Sequence, residues 1–315
     1  MRILITTKGS YREPDAKTIR QHLAVCEQEG FWLDIENPDD DDYEILEKAF
    51  EFHHLTIEDL KHQNQRPKLE EFKTYAFLVL FQAEWIRADI AFREHHQFIA
   101  KDYLVTVHNE PSEVLTELRD RLKESPELTK DSPGFLTYLV VDSLVDSLFP
   151  ILERLDVRID ELQDEILAKA TPELLTEITR TKHDVIELRR YLGAQRDLFS
   201  RLITHSLELH DQDLTLYWRD VLDHLVRQYE TVDSLRDLLT GAMDVYLSTV
   251  SNRLNVTMKA LTVIASIFLP ISFLTGFYGM NYSLLVGFFE APWWAFWIGA
   301  ATMAASVLLL SLIHI

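Results

Sequence analysis

The chain has 315 residues, with 31 basic side chains against 51 acidic ones and a formal charge of −20. That balance lacks the basic patch nucleic-acid binding needs, and suits solubility or the gathering of cations instead. A lone cysteine, Cys26, excludes an intrachain disulfide framework and a cysteine-based zinc site, fits a reducing compartment, and reads as a small core residue.

Short β-type runs open the chain. Ile3–Thr7, Phe31–Ile35, Tyr75–Trp85, Ile90–Phe92, Gln97–Ile99 and Tyr103–Val107 are rich in β-branched and aromatic residues and predict strands. Ala16–Gln28 and Tyr43–Phe50 carry apolar residues at helical spacing. The acidic run Asp39–Asp42 reads as a solvated turn capping a helix rather than a metal site. The start, MRILITTKGS, lacks the apolar stretch of a signal peptide. Residues 1–111 are thus expected to form a cytosolic α/β or α+β domain.

Residues 112–258 read as helical. Ser112–Lys123 begins at a serine cap, and Ser132–Pro133 opens a longer helix running through Leu155 toward Lys169. Thr171–Pro172 is a restart, a cap followed by proline at the first helical position, and that helix runs to about His205. From Asp213 the pattern continues unbroken to Phe277, which is 65 residues or roughly 100 Å of helix. No globular core buries such a helix along its length.

Residues 259–315 form the last region. From Ala260 onward the only formally charged residue is Glu290. Residues 259–278 and 292–312 are each close to the ~20 needed to cross a bilayer, with a link at 279–291 too short for a domain. The two spans predict a hairpin with both chain ends in the cytoplasm, because Arg253 and Lys259 precede the first span. Trp293, Trp294 and Trp297 stand where an outer aromatic belt would lie. Pro270 within the first span is tolerated in a membrane, where neighbouring helices satisfy the freed carbonyl.

Along the long helix, alternating steps of three and four trace a small, polar or soft stripe. It runs from Asp244 through Ser248, Ser251, Asn255, Met258, Thr262, Ala265, Leu269 and Ser272 to Gly276. A 3.5-residue spacing keeps one face on a shared axis. Small residues at helix contacts and the lining of a water-filled pore both fit, and the acidic and amide members favour the pore. Two spans cannot enclose a channel, so a pore requires several copies. Met258 and Leu269, with Leu261, would make apolar rings that gate by excluding water.

Immediately after the first span comes Tyr278-Gly279-Met280-Asn281. In this setting the sequence resembles the CorA family of divalent-cation (Mg²⁺/Co²⁺) transporters, whose signature is Gly-Met-Asn between two C-terminal membrane helices. The likeness extends to Asp244, Tyr246–Ser248 and Ser251–Asn252, and to Gln65-Arg66-Pro67-Lys68 with Glu70 and Phe72. It implies a homo-oligomeric, pentameric channel in the cell membrane. Mg²⁺ is then the transported and regulatory ion, Co²⁺ and Ni²⁺ also pass, and neither an organic cofactor nor a nucleic-acid partner is involved. Gly279, Met280 and Asn281 become the selectivity filter, Glu290 an attracting charge at the outer mouth, and the stripe the pore. The family's regulatory carboxylate pair matches Asp59 and Asp220, with Glu58, Asp142 and His224 assisting.

Relatives commonly end in a basic tail. Here Leu310–Ile315 can be encoded by CTGTCTCTTATACACATC, like a transposon-end sequencing adapter, and these six residues are expected to be read-through. Two rivals compete: a zinc transporter of the same superfamily, and a membrane-tethered sensor through which no ion passes. An enzyme is not expected, since there is no phosphate-binding glycine loop, Gly-x-Ser-x-Gly or metalloprotease histidine pair. His53–His54 and His95–His96 are adjacent pairs expected in strands or turns with structural roles.

Overall fold

The computed structural model describes residues 1–15, 18–19, 22–23, 29–62, 65–87, 89–130, 132–204, 214–279, 297–302, 304–305 and 308. The expected helix at Ala16–Gln28, including Cys26, lies mostly outside them.

Seven strands form one mixed sheet in the order β2-β1-β3-β7-β6-β5-β4. They are β1 (Arg2–Thr6), β2 (Tyr11–Arg12), β3 (Phe31–Glu36), β4 (Lys68–Glu71), β5 (Tyr75–Ile86), β6 (Asp89–Ala100) and β7 (Tyr103–His108). Among the described residues, only β3 and β7 pair in parallel. Ile90–Phe92 and Gln97–Ile99, expected as separate strands, belong to the single strand β6. The polar residues between them are held by a continuous register against β5, from Ile86↔Asp89 to Tyr75↔Ala100. The short strands β2 and β4 have no apolar alternation and were not expected; pairing alone makes them strands.

Alternation assigns the two faces. Leu33, Ile35, Phe77, Val79, Phe98, Val105 and Val107 pack with residues of α1 (Asp40–Lys48) and α2 (His54–Lys61). The acidic run behaves as the sequence indicates: Asp39 is the N-cap of α1 and shares a reciprocal capping box with Asp42. Helix α2 was not expected. Its cap is His53, whose ring accepts from the backbone of Leu55, so His53 and His54 start a helix instead of sitting in a strand or turn.

The other face carries a buried polar network under α3 (Glu113–Glu124). Asp34 of β3 pairs with Arg119 of α3 and accepts from Thr106, while Trp32 Nε1 donates to Thr106 at 2.8 Å. Burial alone would raise the Asp34 carboxyl, but His108, Arg119 and Thr106 outweigh it and hold its pKa below the usual carboxylate value.

A 3₁₀ turn (Pro126–Thr129) leads to α4 (Pro133–Asp146), then α5 (Phe149–Lys169), α6 (Pro172–Thr204) and α7 (Thr215–Gly279). The single helix expected from Pro133 to Lys169 breaks at Ser147–Leu148, just before Pro150, which cannot donate inside a helix but fits its first turn. Helix α7 has the expected 65 residues and runs through Pro270 without interruption. Packing divides the chain into two units: Met1–Glu165 with Thr171–Met243, and Ile166–Ala170 with Asp244–Ile315.

Candidate functional site

Two groups of candidate residues emerge, one in each unit. In the second unit, Asp244, Ser251, Asn255, Met258, Leu261, Thr262, Ala265, Leu269, Ser272 and Gly276 all lie on α7, and all are exposed. On a straight helix the stripe would drift by about 80° over the four heptads from Asp244 to Ser272. Its members therefore share one side.

Exposure is not confined to that side. Every residue from Ser251 to Thr262 is exposed, and Phe268 and Phe273 are 65% and 69% accessible. Among the described residues, the stretches Pro133–Lys169 and Thr215–Gly276 are long and apolar enough to cross a bilayer. The apolar window of the first is 56% buried within the protein, that of the second 0%. Three threonine hydroxyls of this helix are satisfied by its own backbone: Thr257, Thr262 and Thr275 donate to the carbonyls four residues earlier at 3.0, 2.8 and 2.7 Å. A helix with internally satisfied polar groups and an uncovered apolar surface is what a hydrocarbon environment accepts. Of the expected filter, only Gly279 is described, as the last residue of α7; Met280, Asn281 and Glu290 lie outside the described residues.

The first unit holds the titratable cluster. Asp142 and Asp146 stand four residues apart on α4, and Asp220 and His224 four apart on α7, so each pair shares a helix face. His224 Nδ1 lies 2.6 Å from Asp146 Oδ1 and 3.9 Å from Asp142 Oδ1, and its Nε2 lies 3.9 Å from Asp220 Oδ1. Tyr138 donates to Asp220 Oδ2 at 3.2 Å. Single ligand atoms of Asp142, Asp146 and His224 fall within 4.8 Å of one another.

The electrostatics are those of crowded carboxylates. Partial burial, then the charges of Asp146 and Asp220, push the Asp142 carboxyl up to about 6 despite the His224 ring. The Tyr138 hydroxyl is likewise raised by burial and by the charges of Asp142 and Asp220. Asp142 Oδ1 is enclosed and has no hydrogen-bond donor among the described residues. An enclosed acceptor among like charges fits a cation. The carboxylate oxygens suit Mg²⁺, while the ring nitrogen would also serve a later transition metal.

Of the five regulatory candidates, Asp142, Asp220 and His224 come together, and Asp146 joins them. The signal for Asp146 was present in the sequence as an i, i+4 partner of Asp142. Asp59 and Glu58 sit elsewhere, on α2, and no hydrogen bond or ion pair among the described residues joins Asp59 to Asp220. Glu58 is exposed. Asp59 is paired with Lys68, whose ammonium stands 2.5 Å from its Oδ2 and 2.8 Å from Glu70 Oε1. Burial works against that ammonium, but the two carboxylates outweigh it and hold its pKa above the ordinary lysine value.

Known proteins resemble this chain in sequence and in fold. The family described as "CorA-like Mg2+ transporter protein" matches residues 27–313. The cobalt/magnesium transport protein CorA of Thermotoga maritima is 32% identical over 267 residues, covering 82% of this chain and 75% of its own. In fold, the chain resembles the complete structure of the CorA magnesium transporter from Methanocaldococcus jannaschii, with a TM-score of 0.83 at 21% identity over 99% of this chain and 96% of that one. The full-length CmaX protein gives 0.80 at 20% identity over 99% and 95%.

Proposed function

The chain belongs to the CorA-like Mg²⁺ transporter family, and from that premise we propose that it is one subunit of a homo-oligomeric, pentameric channel admitting Mg²⁺ into the cell. The family is one of transporters rather than enzymes. The observation that carries the reading is the uncovered apolar stretch of α7 with its polar stripe. Copies arranged about an axis would turn the stripe inward and the apolar remainder outward to lipid. Residues 259–278 and 292–312 are the two spans, and both termini stay in the cytoplasm of a cell-membrane protein.

In this scheme Gly279, Met280 and Asn281 hold the ion by way of its water shell. Mg²⁺ sheds water reluctantly, and neutral amide and carbonyl oxygens attract it without trapping it. Glu290 raises the local cation concentration at the mouth. Below the filter, Met258, Leu261 and Leu269 close rings that exclude water, while Thr262, Ala265, Ser272 and Gly276 leave room in the wall. Asn255, Ser251 and Asp244 receive the hydrated ion on the cytosolic side. Co²⁺ and Ni²⁺ pass by the same route.

Regulation sits in the first unit. Asp59 of one subunit faces Asp220 of the next, with Glu58, Asp142, Asp146 and His224 nearby. A divalent cation bound there supplies positive charge that cancels carboxylate repulsion. Asp142, Asp146 and His224 present the donors, and His224 orients through Asp146. Helix α7 carries both Asp220 and the pore stripe, so a change of packing at one end biases the other between two states.

Purified protein in liposomes loaded with a Mg²⁺-sensitive dye tests the reading. Robust Mg²⁺ influx is expected, and Asn281→Ala should abolish it while leaving the oligomer intact. Undiminished influx in Asn281→Ala removes the filter assignment. Zinc flux driven by a proton gradient, in place of Mg²⁺ influx, would move the protein to the zinc branch; no flux of any cation leaves a tethered sensor.

A further inference from the structure

The segment Arg66-Pro67-Lys68-Leu69-Glu70 has no task in the channel scheme, yet its lysine stands on one of the scheme's ligands. Lys68 opens β4, an edge strand of the sheet. Its ammonium donates to Asp59 Oδ2 at 2.5 Å and to Glu70 Oε1 at 2.8 Å. Glu70 is two residues along the same strand, so both side chains leave one face; Asp59 arrives from α2. The side chains of Lys68 and Asp59 are each 25% exposed. The Phe77 ring lies 5.4 Å from the ammonium. The position is thus set from strand, helix and ring together.

We propose that Lys68 is a tethered competitor for the regulatory cation, an ammonium that occupies Asp59 until a divalent ion displaces it. The inference rests on the reading of Asp59 as a regulatory ligand, and gives that site its set point. A lysine ammonium is a compact charge on a flexible stem, so it can swing off Asp59 while keeping Glu70. Because it is tethered, its effective concentration is fixed by the fold and does not follow the ionic composition of the cell. A divalent cation binds only when its gain at Asp59 and on the neighbouring subunit exceeds the loss of this pair. The cation-free state is favoured in turn, since Asp59 is never left as a bare charge.

Full-length protein in detergent is titrated with MgCl₂, and protection from limited proteolysis gives the midpoint. Lys68→Met keeps the stem over Phe77, removes the charge, and is expected to lower the midpoint about fivefold, while Lys68→Arg stays within about twofold of the unmodified protein. Asp59→Asn should weaken protection in either background. If Lys68→Met leaves the midpoint in place while Asp59→Asn still weakens the response, the competitor role is overturned and the regulatory reading stands. If Asp59→Asn titrates like the unmodified protein, the regulatory reading of Asp59 falls and the competitor role with it. Melting temperature in EDTA is read alongside, because a purely structural ion pair moves that temperature and not the midpoint. Should Lys68→Met fail to give a folded oligomer, Lys68→Gln takes its place with the same expected shift.

Discussion

The two ends of helix α7 obey opposite rules. From Thr215 to Met243 the helix is rich in charge, yet Trp218, Val221, Leu225, Val232, Leu235 and Leu239 are buried along one stripe by the rest of the first unit. From Ser251 to Gly276 it is far more apolar, and no residue is buried. In water alone the second stretch would be the one to seek cover, at about 25 cal/mol per Å² of apolar surface. None of the described residues supplies it, and lipid together with other copies is the cover the proposed channel provides.

Mutations can break that contrast. The largest effect is expected at the polar heart of the first unit. Arg119→Met leaves Asp34 charged, buried and without its guanidinium, and should destabilise that unit by about 3–5 kcal/mol, read as a lower melting transition of the detergent-solubilised chain. Leu225→Ala empties a fully buried site on α7 and should cost about 2–5 kcal/mol in the same measurement. The matched change Leu261→Ala, on the exposed stretch, should alter that transition by less than about 0.5 kcal/mol, while raising leak current through reconstituted channels. Equal destabilisation by the two leucine changes would dissolve the contrast.

The smallest effect concerns pH, and sets two carboxylates of the first unit against each other. Asp34 is held below its unfolded value, so its contribution is present at neutral pH and lost as pH falls through its folded pKa. Asp142 is raised to about 6, so its ionised form is disfavoured by folding and its protonation is favoured. In EDTA the protein should therefore gain stability from Asp142 as pH falls from 7 through 6 toward 5. Melting temperatures at pH 7 and 5.5 check this, and Asp142→Asn should remove that gain. A gain unchanged in Asp142→Asn would assign it to another group.

Much of this was legible along the chain. The length of α7, the caps at Asp39, Ser112 and Ser132, and the strand at Tyr75 follow from local pattern, and the structure agrees at each. The misses have physical causes. Helix α2 begins at a histidine cap that no propensity rule favours, and β4 is a charged strand, Lys-Leu-Glu-Glu, that exists only because β5 pairs with it. The joining of two expected strands into β6 came from register, which period-two patterning cannot see across polar residues.

The candidate site divides in the same way. Asp142, Asp220 and His224 could be named from a resemblance, but Asp146 entered only when α4 and α7 were laid side by side. The Lys68–Asp59 pair joins two elements of which neither was expected.

Sequence alone determined that one region is charged and another nearly free of charge, and that a single helix runs through both, because helical periodicity and the partition of apolar side chains are local properties. Only the tertiary structure decided which carboxylates share a space and which are neutralised by a lysine. Those outcomes depend on residues such as Asp146 and His224, 78 positions apart, being brought within a few ångströms, and the energy of a charge is set by its neighbours in space rather than along the chain.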